Sequence, residues 1–208
     1  MSALIPTDRA NAPAKAPAIS RFPVPSLDEL PQDLREKVLA VQEKAGFIPN
    51  VFLGFAHRPD EARAFFAYHD ALMLRDSGLT KGEREMIVVA TSGVNRCLYC
   101  VVAHGAILRV VEKKPLLADQ LATNPNKADL TPRQHAMLGF ARKVCEAAED
   151  VEEADFTALH AHGFSDEDIW DIGAITALFA LSNRMANLIS LRPNDEFYAM
   201  GRAPRPAR

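Results

Sequence analysis

The chain has 208 residues, a formal net charge of -3 and acids and bases mixed along its length. That length allows one sizeable core, and the charge pattern offers no basic face of the kind that binds nucleic acid. Three cysteines cannot all pair with one another, so a disulfide framework is not what holds the fold.

The opening stretch MSALIPTDRANAPAKAPAIS has neither the apolar core of a signal peptide nor the Arg-rich pattern of a transit peptide. Residues 1–24 are rich in Ala and Pro without periodicity, which predicts an extended arm. A helix is predicted from Pro31, with apolar Leu34, Val38, Leu39 and Val41 and a stop at Gly46. A short helix after Asn50 and a longer one after Pro59 follow. Thr80 with Glu83 has capping-box spacing, and Met86, Ile87, Val88, Val89 and Ala90 supply the buried side of the helix it opens. Asn95 is the expected cap of the next helix, which carries two cysteines and runs to about Val111.

In the second half, Thr131-Pro132 opens a helix through Cys145, and Val151 to His162 form another that ends at Gly163. Ser165 with Asp168 opens a long one to about Leu191. Its apolar residues, among them Ile169, Trp170, Ile172, Ile175, Leu178, Phe179 and Leu181, exceed a single stripe, which predicts a homo-oligomer. The longest apolar stretch, Ile172 to Leu181, is too short to span a bilayer. The expectation is a cytoplasmic protein without membrane or nucleic-acid partners. No alternating β-branched runs bounded by hairpin turns occur, so the fold class is all-α, a helical bundle that two similar helical units could build. The predicted boundaries are 1–24 for the arm, 25–200 for one helical domain with its cysteine motif in 80–111, and 201–208 for a flexible tail.

Cys97, Cys100 and His104 stand at i, i+3 and i+7, on one face of a helix. Cys97 lies where free backbone amides and the helix dipole favour a thiolate, with the positive charge of Arg96 beside it. Cys100, four residues before His104, has an imidazole within reach as a general base. If the two helices form an antiparallel hairpin turning at Val94-Asn95, Glu85 and His104 are equally far from the turn. At about 1.5 Å per residue they lie level, and the carboxylate can orient the imidazole. Glu85, Cys97, Cys100 and His104 could also be four metal ligands, but a second Cys or His pair at zinc spacing is missing. No metal and no cofactor are expected. Cys145 is expected to pack as a small hydrophobe.

The spacing Glu85, eleven residues, Cys97, two residues, Cys100, three residues, His104, together with Glu83-Arg84-Glu85-Met86-Ile87, resembles the alkylhydroperoxidase D family of the carboxymuconolactone decarboxylase superfamily. The region from Phe22-Pro23-Val24 through Ile48-Pro49-Asn50 is similar to its peroxidase-related branch. The resemblance implies an all-helical AhpD-like fold, homo-oligomerisation and reduction of organic hydroperoxides by a cysteine pair. It further implies Cys100 as the attacking thiol, Cys97 as proton donor and resolving thiol, and Glu85 with His104 as the proton relay. Where the alkylhydroperoxidase carries a His between its cysteines this chain has Tyr99, which leaves the proton burden on Glu85 and His104.

The functional expectation is a thiol-dependent peroxidase whose partners are a hydroperoxide substrate and a dithiol or protein-disulfide reductant. The alternatives are a thiol-disulfide oxidoreductase without peroxidase activity, and a redox-sensing helical interaction module.

Overall fold

A computed structural model describes residues 18–202. After a 3₁₀ turn at Leu27–Glu29 the chain forms α1 (Gln32–Ala45), α2 (Asn50–Phe55), α3 (Pro59–Met73), α4 (Lys81–Val94) and α5 (Leu98–Glu112). It continues with α6 (Leu117–Thr123), α7 (Pro132–Glu146), α8 (Glu153–Ala161), α9 (Asp166–Leu188) and α10 (Asp195–Ala199). No strand occurs among the described residues, so the all-helical expectation holds. The residues expected to form the start of the arm, 1–17, and most of the tail, 203–208, lie outside the described part. Residues 19–21 run along the end of α9, where the Arg21 N–H donates to the Ile189 carbonyl at 2.7 Å and the Arg192 N–H to that of Ile19 at 2.9 Å.

Helix α4 is the centre of the molecule. Every residue from Gly82 to Ser92 is buried, and the helix packs against α5, α6, α7 and α9. Its run of Met86, Ile87, Val88 and Val89 is apolar all round, so it is stable only when neighbours cover every side. Removing each of these side chains from water contributes roughly 1.5–3 kcal/mol. At Gly93 a Cβ would stand 2.7 Å from the Ala122 carbonyl oxygen, so the absence of a side chain lets α6 close on α4. Both halves of the chain feed the main buried apolar cluster, from Leu72 to Phe197, while two smaller clusters lie among α1, α2 and α3.

Thr131, expected to open α7, closes a capping box with Gln134, and those at Thr80 and Ser165 form as the sequence indicates. The turn before the cysteines does not. Asn95 is the C-cap of α4 rather than the N-cap of α5. Arg96 takes the left-handed conformation (φ 52°), the Cys97 N–H reaches back to the Ser92 carbonyl at 3.0 Å, and the Arg96 N–H reaches that of Gly93 at 3.0 Å. This is the paired closure of a helix C-terminus. It consumes two residues, which moves the N-cap of α5 to Cys97. A similar closure, with Ser190 left-handed and the Leu191 N–H on the Ala186 carbonyl, ends α9 at Leu188, before the expected Leu191. The short helices α6 and α10 were not expected. Five to seven residues carry too little periodicity to distinguish a helical turn from a loop.

Candidate active site

Helices α4 and α5 form the antiparallel hairpin that the spacing requires. Glu85 and His104 meet across it, with the carboxylate oxygen Oε2 2.8 Å from Nδ1 of the imidazole. Glu85 is almost wholly buried. A carboxylate on a central helix is costly without a partner, and the imidazole is that partner. The His104 ring is also fixed by Phe179 of α9, which meets it edge-on at a centroid distance of 4.7 Å. The hydrogen bond and the aromatic contact together set which way the other ring nitrogen points.

Both motif cysteines are free thiols and buried, Cys97 at 1% exposure and Cys100 at 2%. Cys97 is the N-cap of α5, though its side chain makes no capping hydrogen bond. The Cys100 thiol, the Cys100 N–H, the Asn183 side chain and the Tyr99 N–H all stabilise charge on it, the Cys100 thiol most. Against the cost of burial they bring its pKa down to about 7. Cys100 moves the opposite way, well above the ordinary thiol range, first because its proton is engaged by Cys97 and then because it is buried. Between the two sulfurs, the surroundings therefore favour charge on Cys97 over Cys100. Amides at the helix start were the reason to expect a thiolate at Cys97.

His104 does not hydrogen-bond Cys100. The recorded partner of the Cys100 sulfur is the Ser182 hydroxyl, at 3.7 Å. Tyr99 is buried between helices, and its phenol oxygen accepts the Val51 N–H at 3.0 Å, which pins the start of α2 to α5. Burial holds that phenol well above its ordinary range, as suits a side chain that ties two elements together. Cys145 is half-buried, with its sulfur 3.9 Å from the Thr91 carbonyl oxygen. Burial raises its pKa, as suits a packed thiol.

Three neighbours of the site were not read from the sequence. Ser182 and fully buried Asn183 come from α9. Asn183 Nδ2 donates to the Ser92 hydroxyl at 2.9 Å, and its Oδ1 accepts from Asn95 Nδ2 at 3.0 Å. The signal was present: two polar residues interrupt the buried face of an otherwise apolar helix, and buried polar groups need partners. The third is His69 on α3, whose ring lies 6.4 Å from that of Phe179.

The chain matches the model of the carboxymuconolactone decarboxylase family over residues 59–143. It is 72% identical to an alkylhydroperoxidase AhpD core, peroxidase-related protein from Ralstonia eutropha JMP134, over 91% of this chain and 100% of that one, with a TM-score of 0.90. To a peroxidase-related protein from Silicibacter sp. TM1040 the identity is 40%, over 91% of this chain and 100% of that one, with a TM-score of 0.86. The debrominase Bmp8 in its apo form, at 19% identity over 88% of this chain and 95% of that one and a TM-score of 0.70, shares the fold. No curated protein matches the chain. The motif, the helical architecture and these likenesses agree: the chain belongs to the AhpD-like members of the carboxymuconolactone decarboxylase superfamily.

Proposed function

We propose that the protein is a thiol-dependent peroxidase that reduces organic hydroperoxides with Cys97 and Cys100, served by Glu85 and His104. One observation carries this reading. A carboxylate-oriented imidazole, with Glu85 and His104 2.8 Å apart, stands one helical turn from Cys100 and two from Cys97, whose pKa is brought down to about 7. A proton can thus be held or released at neutral pH beside two sulfurs that are able to form a disulfide. The burial of both sulfurs favours a small oxidant over the disulfide of a folded protein.

Cys100 stands four residues before His104, and the resemblance gives it the attacking role. We therefore assign the attack to Cys100, which passes its proton to Cys97 as it reacts. The Cys100 sulfur attacks the terminal peroxide oxygen and the O–O bond breaks. The departing alkoxide takes the proton now on Cys97 and leaves as the alcohol, giving a sulfenic acid at Cys100. The Cys97 thiolate then displaces hydroxide from the Cys100 sulfur. His104, held by Glu85, supplies the proton that makes it water, and the product is the Cys97–Cys100 disulfide. An external dithiol restores the resting pair by exchange, one of its two protons going to Cys100 and the other being released, and His104 regains its proton from solvent. Peroxide consumption in a panel of dithiols tests the reading. Turnover with at least one dithiol is the expected result, and oxidation that stops after one equivalent contradicts it.

A further inference from the structure

Beside the relay lies a second histidine–carboxylate pair that the motif does not include. His69 projects from α3 and sits 6.4 Å, ring to ring, from the same Phe179 that meets His104 at 4.7 Å. Its Nδ1 is 3.0 Å from Asp70 Oδ1, and the other oxygen of Asp70 binds the Lys37 ammonium of α1 at 2.5 Å. Burial raises the Asp70 carboxyl, but the bonds from Lys37 and His69 outweigh it and hold Asp70 below the ordinary carboxylate range. An ionised carboxylate only accepts, so Nδ1 carries the proton and Nε2 keeps its lone pair. Nε2 has no hydrogen-bond partner among the described residues.

Exposure rises from Glu85 to His104 to His69. The side chain of Glu85 is 5% exposed, that of His104 14% and that of His69 27%. We propose that His69 is a further acid–base residue of the site, exchanging protons between solvent and the buried Glu85–His104 pair through Nε2, with Asp70 and Lys37 holding its ring. The assignment rests on the thiol chemistry proposed above. The charged and titratable groups that face His69 are Asp70 on its own helix, Lys37 of α1 through Asp70, Glu85 of α4 and His104 of α5, while α9 presents the uncharged Phe179. Burial lowers the basicity of His69 below that of a free imidazole despite Asp70.

The test is the single-turnover rate of disulfide formation in the full chain, followed with an organic hydroperoxide and, separately, with diamide. Diamide takes two electrons from the cysteine pair and two protons, one from Cys100 and one that must reach the site from solvent, giving the disulfide and the substituted hydrazine, so it needs the proton path but no peroxide. His69→Gln is expected to slow the reaction about tenfold with either oxidant. Added imidazole should restore the variant and leave the native chain unchanged. A native rate in His69→Gln overturns the proposal, and so does a slow rate that imidazole fails to restore. Should only diamide oxidise the native chain, the peroxidase reading fails and the diamide rates alone decide the role of His69. If His69→Gln melts early, Asp70→Asn releases the ring in its place. A partial loss restored by imidazole supports the role, and an unaltered rate refutes it.

Discussion

The Glu85 carboxylate and the His104 imidazole are held 2.8 Å apart by two antiparallel helices, nineteen residues separated along the chain and level across the hairpin. Their contact is fixed by backbone geometry on one side and by the edge of Phe179 on the other. If this pair carries protons for the thiols, Glu85→Gln or His104→Gln should lower peroxide turnover by about 10²–10⁴, the range for loss of general acid–base assistance. Tyr99→Phe should cost tenfold or less, because the phenol only accepts the Val51 N–H. It should instead lower stability by about 1 kcal/mol through the lost hydrogen bond. Rates measured beside thermal unfolding separate the effects. A folded Tyr99→Phe variant as slow as His104→Gln would place the phenol in the relay.

A second expectation concerns charge. Thiolate absorbance in the ultraviolet should rise with a midpoint near pH 7, from Cys97 alone, since Cys100 and Cys145 both titrate above the ordinary thiol range. The largest stabilising partner of the Cys97 thiolate is the Cys100 thiol. Cys100→Ala should therefore move that midpoint upward, toward the ordinary 9.0. A midpoint that stays near 7 in this variant would assign the effect to the helix amides and Asn183 alone.

The division of labour between the sulfurs is open to trapping. Cys97→Ser should leave a sulfenic acid at Cys100 that dimedone labels, formed more slowly because the proton acceptor is gone, whereas Cys100→Ser should give no turnover. Dimedone found on Cys97 in Cys100→Ser, with none on Cys100 in Cys97→Ser, would make Cys97 the nucleophile.

Much of this was legible in the residues. Capping boxes at Thr80 and Ser165, and Thr131-Pro132 before α7, set helix starts, and the apolar run of α4 marked the core. Counting from the hairpin turn paired Glu85 with His104, because helical rise is uniform and errors cancel on the two arms. The exchange of caps at Asn95 was not legible. It depends on Arg96 adopting a left-handed conformation that glycine ordinarily signals. The contributions of Ser182, Asn183 and His69 were also hidden. They arrive from α3 and α9 through tertiary packing, and no spacing within the motif encodes how those helices rotate about their axes.

Helix α9 leaves Trp170, Leu181 and Leu188 exposed. Together with Phe55, Phe65 and Tyr68, the last two leucines border an apolar groove of about 610 Å³. Solvent contact over so much apolar surface is unfavourable, and a second copy of the chain is the occupant we expect. Sedimentation at micromolar concentration should show a homo-oligomer. A monomer at that concentration contradicts this expectation without touching the thiol chemistry.

The central claim is that Cys97 and Cys100 reduce a hydroperoxide by forming a disulfide with each other. Its most direct measurement adds one equivalent of an organic hydroperoxide to the reduced chain, quantifies the alcohol released, and maps the cysteines by mass spectrometry. The account predicts one alcohol per chain and a Cys97–Cys100 link, with Cys145 still a free thiol. Unconsumed peroxide, or a disulfide that joins Cys145 to either motif cysteine, would contradict it.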